Sequence, residues 1–185
     1  MTILRFFAIL FTEFHEKEQN MLACFIGHRN IPKNETLDDL LKQTVQDLVE
    51  KGVTTFLFGS MSKFDKLSWE AVTALKTIYP FIKRIYVRSS YQHIDKSYEN
   101  YLLESYEETY FPPKLAHAGK YSYVERNYEM IDRCTYCVFY YDKNYFVPLS
   151  KSKHNVLLQS KRNSGTKIAY QYAMKKNKII INLYR

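Results

Sequence analysis

The sequence predicts an α/β protein, a three-layer Rossmann-like sandwich with a mostly parallel sheet of about five strands. Its apolar residues form short continuous runs, which is typical of strands that are buried on both faces. Segments with helical periodicity separate these runs, and this alternation favours a parallel sheet. The 185 residues, 46% of them hydrophobic, are enough for one well-buried core.

Five apolar runs are the predicted strands. They cover residues 22–26, 54–58, 82–87, 135–141 and 178–183. Helices are predicted between them, because residues that cap helices precede segments with a helical apolar stripe. The predicted caps are Thr36, Asp65, Ser164, and Ser122 in a capping box with Glu125. Residues 89–120 are rich in tyrosine and less regular, with one helix predicted over residues 97–108.

Two segments stand apart from the strand–helix alternation. Residues 1–20 are predicted to be an N-terminal appendage outside the core, since a charged stretch follows their apolar part and Met21 stands directly before the first strand. Residues 21–185 then form a single domain. Within it, residues 142–163 make a long basic loop, which we expect to be a mobile lid over a ligand site.

Composition limits the partners and the cellular location that can be expected of the protein. The net charge is +8, with 17 Tyr and 12 Phe, so nucleic acid remains a possible partner. Three cysteines are too few for a disulfide framework, and they favour a cytoplasmic location. No apolar run approaches the roughly 20 residues of a membrane-spanning helix, so no membrane partner is predicted.

Candidate site residues follow the predicted strands, because ligands of parallel sheets bind beyond the carboxyl ends of the strands. A helix N-terminus offers free N–H groups to a phosphate, and arginine adds a two-pronged contact. The predicted ligand-binding residues are Gly27, His28, Arg29, Gly59, Ser60, Asp65, Arg126, Asn127, Ser164, Gly165 and Thr166.

Other motifs predict little chemistry. Cys134 and Cys137 form a Cys-x-x-Cys at the start of a buried strand, where cysteines act as small hydrophobic residues. The five histidines lack metal-ligand spacing, and neither a dinucleotide glycine fingerprint nor a Walker motif is present. No metal and no cofactor are therefore predicted.

Four segments resemble the YpsA-like branch of the SLOG superfamily, a Rossmann-like family of largely uncharacterised bacterial and phage proteins. They are residues 24–29, the turn 59–65, Arg126-Asn127 and Ser164–Thr166, and the resemblance extends over about residues 21–183. Relatives include DNA-processing protein A and the Lonely Guy phosphoribohydrolases. The resemblance implies a nucleotide or nucleotide-derived ligand at this edge of the sheet.

The sequence departs from the family pattern at two places. The turn 59–65 reads Gly-Ser-Met-Ser-Lys-Phe-Asp, where the family has Gly-Gly-Ala-x-Gly-x-Asp. Ala169 stands where the phosphoribohydrolases have the glutamate that serves N-glycosidic cleavage.

The expected function is therefore binding or sensing of a nucleotide-derived small molecule, and two alternatives stay open. One is an N-glycosidase of nucleoside monophosphates. A carboxylate would have to stabilise its oxocarbenium-like transition state, and the candidates are Asp65, Glu70, Glu125 and Glu129. The other is a protein that binds single-stranded nucleic acid. A homo-oligomer is also left open.

Overall fold

The computed structural model describes residues 21–31, 35–59, 62–145 and 164–185, which contain six strands and five α-helices. The strands are β1 (Met21–Gly27), β2 (Val53–Phe58), β3 (Lys83–Val87), β4 (Glu108–Tyr110), β5 (Tyr136–Tyr140) and β6 (Ile179–Asn182). The helices are α1 (Glu35–Glu50), α2 (Lys63–Lys76), α3 (Lys96–Leu103), α4 (Ser122–Arg133) and α5 (Gly165–Lys175). Two short 3-10 helices, Pro113–His117 and Gly119–Tyr121, precede α4.

All six strands are parallel and lie in the order β4-β3-β2-β1-β5-β6. The chain moves outward from β1 to β4 and then returns to the other side of β1. The strand order therefore reverses between β1 and β5, where Gly27 is in register with Tyr140. In such sheets the crevice at the carboxyl side of this reversal is the usual place for a ligand. The predicted α/β class is confirmed, with one strand more than expected.

Hydrophobic residues bury both faces of the sheet. Along β1, Ala23 and Phe25 join one core cluster while Cys24 and Ile26 join the other. The first cluster includes residues of α1 and α2, and the ring of Phe25 stacks on those of Phe56 and Phe58 at 5.9 and 5.3 Å. The second includes residues of α4 and α5. Continuous apolar strands are thus explained by helices on both sides.

The three cysteines lie in this interior. Cys24, Cys134 and Cys137 are buried free thiols in the second cluster, and Cys24 is in register with Cys137 across the β1–β5 pair. The hydrogen bond with the Cys134 thiol, followed by burial, holds the pKa of Cys24 well above its usual range, while the hydrogen bond with Cys137 works in the opposite direction. All three side chains are buried in apolar surroundings and contribute packing as small hydrophobic residues.

Strand β4 was not predicted, because its sequence Glu-Thr-Tyr has no apolar run. Contacts with β3 hold it at the edge of the sheet: Arg84 donates to both carboxylate oxygens of Glu107, at 3.2 and 2.6 Å. The N–H of Glu107 in turn donates to the carbonyl of Arg84 at 2.9 Å. The predicted helix over 97–108 was accordingly too long.

Three of the predicted helix starts were wrong. Thr36 lies inside α1 rather than before it. Ser62, not Asp65, caps α2, because its hydroxyl accepts the N–H of Asp65 at 3.1 Å. Ser122 is the first residue of α4, which continues from a 3-10 helix and has no side-chain cap. The cap at Ser164 is confirmed, since Ser164 Oγ accepts the N–H of Lys167 at 3.1 Å.

Residues 1–20, Ser60 and residues 146–163, which include most of the predicted basic lid, lie outside the described residues. Within the described residues, none of the helices has the length and apolarity needed to span a membrane.

Replacing Gly27 by alanine is expected to destabilise the fold. A Cβ at position 27 would lie 2.4 to 2.6 Å from ring and Cβ atoms of Phe64, a fully buried residue of the core. Forcing a methyl group into such packing costs about 1–3 kcal/mol, which urea unfolding monitored by circular dichroism would measure. The double variant Gly27→Ala/Phe64→Leu should recover part of the loss. An unchanged unfolding free energy in Gly27→Ala would contradict this packing.

Candidate functional site

A cavity of about 860 Å³ crosses the carboxyl edge of the sheet. Its size is within the range of small-molecule sites. It lies beside the reversal of strand order, and every predicted ligand-binding residue that the structure describes contributes to its wall. These residues are Gly27, His28, Arg29, Gly59, Asp65, Arg126, Asn127, Ser164, Gly165 and Thr166. We call this space the carboxyl-edge cavity.

The side chain of Arg126 is the most buried positive charge of the described cavity wall. It projects from α4 with 4% of its surface exposed, and its aliphatic part packs against the backbone of Gly59 at the end of β2. A Cβ at Gly59 would come within 2.6 Å of Arg126 Nε and 2.7 Å of Met130 Sδ. Glycine at position 59 therefore makes room for the arginine.

Among the described residues, few groups accept hydrogen bonds from the guanidinium of Arg126. Nε and Nη2 donate to the same acceptor, Asn127 Oδ1, at 3.3 and 3.0 Å, and the ring of Tyr123 lies 5.7 Å from Cζ. A guanidinium has five N–H donors, so most of its donor capacity is not used by these contacts. Burial lowers the pKa of Arg126 from its usual range, and the nearby negative charge of Asp65 works in the opposite direction.

Asp65 is itself held in place by the start of α2. It is 4% exposed, its N–H donates to Ser62 Oγ, and the Ser62 hydroxyl donates to its Oδ2. This reciprocal pair resembles a capping box with aspartate in the third helical position, except that the carboxylate accepts the hydroxyl of the cap residue and not its backbone N–H. The carboxylate is thereby fixed beside the cavity as a counter-charge to Arg126.

Across the cavity, α5 begins with Ser164, Gly165 and Thr166. Because Ser164 accepts the N–H of Lys167, the N–H groups of Gly165 and Thr166 have no acceptor within the helix. Apart from its chain neighbours and the backbone of its own helix, no described residue lies within 4 Å of the place where a Cβ of Gly165 would be. The helix start therefore offers N–H donors and open space on the cavity side.

His28 follows β1 and is 2% exposed. Its Nε2 lies 3.0 Å from the backbone nitrogen and 3.2 Å from the carbonyl oxygen of Asp142, so it accepts from the one or donates to the other according to the tautomer of the ring. The ring of Tyr145 stacks on it at 3.8 Å, and Nδ1 is buried without a hydrogen-bond partner in the described part of the chain. Burial lowers the pKa of His28, although its contacts with Asp142 partly oppose the shift.

The carboxyl end of β3 also lines the cavity, and the sequence analysis missed it. Arg88, Ser89, Ser90 and Tyr91 follow the strand, and Tyr86 and Tyr98 stand beside them. The rule that ligands bind at strand ends applies equally to β3. No small-residue turn or helix start marks this position, so the residues were read only as part of an irregular tyrosine-rich stretch.

The four carboxylates considered for N-glycosidic cleavage do not come together. Among the described residues only Asp65 lines the cavity. Glu70 and Glu129 form ion pairs elsewhere, with Lys66 at 3.8 Å and Lys114 at 2.8 Å, and Glu125 is outside the cavity wall. The described wall thus carries three guanidinium groups, those of Arg29, Arg88 and Arg126, against one carboxylate.

Comparisons with known proteins give little beyond the fold. No protein-family model matches the chain, and no curated protein matches it. The solved structure of DNA processing protein A from Helicobacter pylori, whose title describes a unique mode of binding single-stranded DNA, is similar, with 16% sequence identity and a TM-score of 0.47. The match covers 87% of this chain and 64% of that one. The fold and the cavity define a Rossmann-like α/β protein with a cationic cavity at the carboxyl edge.

The stability of the protein is expected to depend on His28 as the pH falls. Since burial lowers the pKa of folded His28, the unfolded chain takes up a proton first, below about pH 6.5. Stability is therefore lost as the pH falls from about 7 through this window. His28→Gln keeps an acceptor for Asp142 but does not titrate, so its unfolding free energy should fall less steeply.

Urea unfolding between pH 7.5 and pH 5 checks this difference. The matched control is His93→Gln, which changes an exposed histidine and should follow the wild-type curve. Parallel curves for the wild type and His28→Gln would show that His28 does not resist protonation.

Proposed function

We propose that the carboxyl-edge cavity binds a small phosphorylated ligand of the nucleotide type. The observation that carries this proposal is the guanidinium of Arg126, which is buried in the cavity wall and whose hydrogen bonds to described residues use two of its five N–H donors. A buried charge is costly unless it is paired and hydrogen-bonded, and a phosphate supplies both the charge and the acceptors.

The start of α5 supports the same ligand. Two N–H groups without helical acceptors and the positive end of a helix dipole favour an anion, and the open space at Gly165 permits its close approach. The ligand's phosphate is proposed to rest on Gly165 and Thr166, with Arg126 reaching it from α4. The other predicted residues that the structure describes form the surrounding wall: Gly27, His28, Arg29, Gly59, Asp65, Asn127 and Ser164.

The charge of the wall fits a phosphate dianion. Arg29, Arg88 and Arg126 contribute three positive charges and Asp65 contributes one negative charge among the described lining residues. A nucleoside monophosphate near pH 7 carries nearly two negative charges, since the second pKa of a phosphate monoester is about 6. The complex would then be close to neutral.

A second candidate function, binding of single-stranded nucleic acid, is favoured by the tyrosines at the cavity mouth. Tyr91, Tyr98 and Tyr123 line the cavity while 74%, 40% and 58% exposed. Exposed aromatic rings in a basic protein are suited to stacking of successive bases. An oligonucleotide would bind with an affinity that falls steeply with salt, whereas a mononucleotide would show a shallow dependence.

Arg126→Ala is expected to weaken binding of ribose 5-phosphate and of nucleoside monophosphates by about 1.5–3 kcal/mol, the scale of hydrogen bonds to a charged group. Isothermal titration calorimetry measures the change, after a thermal-shift screen has selected the tightest nucleotide. Arg126→Lys retains the charge without the planar fork, so its affinity should lie between those of the wild type and Arg126→Ala.

The control for this experiment is Arg133→Ala. Arg133 is an exposed arginine of the same helix, lies over the ring of Tyr110 at 4.7 Å and is outside the cavity wall. Affinity should stay at the wild-type value in Arg133→Ala. Equal affinities in Arg126→Ala and the wild type would remove Arg126 from the site and with it the main support for the proposed function.

Gly165→Ala is expected to separate stability from binding. Because a Cβ at position 165 contacts no described residue beyond its own helix and chain neighbours, the melting temperature should be unchanged or slightly higher, as alanine is favoured over glycine in helices by roughly 0.5–1 kcal/mol. The same methyl group obstructs the approach of a phosphate, so affinity for ribose 5-phosphate should fall by about tenfold, or ~1.4 kcal/mol. Undiminished affinity would place the phosphate elsewhere in the cavity.

A further inference from the structure

The end of the cavity at β3 has polar groups that the phosphate site does not use. The strand order places β5, β1, β2 and β3 side by side, and the cavity wall includes residues at the ends of β1, β2 and β3, with Tyr145 from the segment that follows β5. With strands roughly 4.8 Å apart, the residues after β3 lie about 14 Å across the sheet from the end of β5. A ligand whose phosphate rests at the start of α5 would therefore extend its other end toward Arg88.

The segment after β3 has an unusual backbone conformation. Tyr91 has a φ of 59°, in the left-handed region that a bulky residue rarely adopts. Arg88 maintains this turn, because its Nη1 donates to the carbonyl of Tyr91 at 2.7 Å. The ring of Tyr91 remains 74% exposed at the cavity mouth, so the strained turn does not serve to bury it. Such strain persists where the surrounding structure imposes it, and it is concentrated at functional sites.

Arg88 retains donor capacity at this end. Its described hydrogen bonds go to backbone carbonyls, those of Tyr91 and Gln92, and its Nε is buried without a partner in the described part of the chain. The guanidinium also lies over the ring of Phe111 at 5.9 Å, which fixes its plane. Nη2 has no hydrogen-bond partner among the described residues, so Nη2 and the second N–H of Nη1 are the donors that this guanidinium can offer at the cavity wall.

Tyr98 provides a flat surface beside these donors. Its ring stacks on that of Tyr101 at 6.2 Å with an angle of 15° between the planes, and it is 40% exposed while lining the cavity. A ring that is supported from one side and open on the other can stack on a planar ligand ring. Donors at its edge then select a ring with hydrogen-bond acceptors.

We infer that the Arg88–Tyr98 end of the cavity binds the base of the nucleotide and selects purines with a 6-oxo group, as in guanine and hypoxanthine. The edge of such a purine presents two acceptors, O6 and N7, which an arginine fork matches, whereas adenine presents a donor amino group beside N7. This inference rests on the proposed function, because it assumes that the phosphate occupies the start of α5.

The test is calorimetric titration of the full chain with GMP, IMP, AMP and ribose 5-phosphate. GMP and IMP are expected to bind about tenfold or more tightly than AMP, a typical discrimination for a two-pronged arginine contact. Arg88→Ala should bind GMP, IMP and AMP with equal affinity, and its affinity for ribose 5-phosphate should fall much less than its affinity for GMP, because only the contribution of its charge to the cavity is lost. Arg133→Ala is again the matched control and should keep the base preference.

Tyr98 gives a second, independent comparison that does not depend on the turn at Arg88. Tyr98→Leu should lose affinity for all three nucleotides but not for ribose 5-phosphate, whereas Tyr98→Phe keeps the ring and should bind like the wild type. A purely structural role of Tyr98 would weaken ribose 5-phosphate binding as well, and that result would count against the inference.

Several outcomes overturn the inference while leaving the proposed function intact. They are AMP binding as tightly as GMP, an equal loss for every ligand in Arg88→Ala, and tighter binding of a nucleoside 3′,5′-bisphosphate that depends on Arg88, which would make Arg88 a second phosphate site. In each of them ribose 5-phosphate still binds and still requires Arg126. Failure of ribose 5-phosphate and of all the nucleotides to bind would overturn the proposed function itself, and the inference with it.

Discussion

The burial of the Arg126 guanidinium against the end of β2 is the constraint on which the cavity depends. A charge removed from water needs compensation, and here the amide of Asn127 and the charge of Asp65 provide part of it. The close approach is possible only because position 59 has no side chain. This one contact therefore links the end of β2, the position of α4 and the charge of the cavity.

Helix α2 joins this constraint to the rest of the edge. Its first turn fixes Asp65 through Ser62, and Phe64 fills the space left by the absent side chain of Gly27. Lys63 completes the connection, because its N–H donates to the carbonyl of Arg29 at 3.1 Å and its Nζ to that of Ile31 at 2.9 Å. The residues after β1 and those after β2 thus form one hydrogen-bonded unit.

The fold could be predicted from the sequence because parallel strands buried on both faces read as continuous apolar runs, as in β1 and β5. Strand β4 could not be predicted in this way. Its three residues, Glu108–Tyr110, form no apolar run, and the contact between Arg84 and the preceding Glu107 holds them beside β3. The capping residue of α2 was misassigned because Ser62 and Asp65 both suit the start of a helix. Only their mutual hydrogen bonds show which residue is the cap.

The site was predictable where a glycine or a helix start followed a strand, as at Gly27, Gly59 and Gly165. The contribution of β3 to the cavity wall could not be predicted, because the residues around Arg88 form no recognisable turn motif. The burial of Arg126 also could not be predicted from the sequence. An arginine on a helix is usually solvated, and only the space opposite Gly59 makes this one part of the wall.

The position of Ala169 bears on whether the cavity is arranged for cleavage or for binding. The resemblance aligns this residue with the glutamate of the phosphoribohydrolases, but its side chain is 1% exposed and belongs to the core cluster between the sheet and α5. A carboxylate at position 169 of this fold would enter apolar packing with Cys24 and Phe139, where its charge would be strongly disfavoured. The helix that begins at Gly165 therefore presents its N-terminal N–H groups to the cavity without an acid behind them. Asp65, the remaining carboxylate of the described wall, is already engaged by Ser62 and by the charge of Arg126. An arrangement with many positioned donors and one occupied carboxylate is suited to holding an anion, and any cleavage chemistry would first have to release Asp65 from the cap of α2.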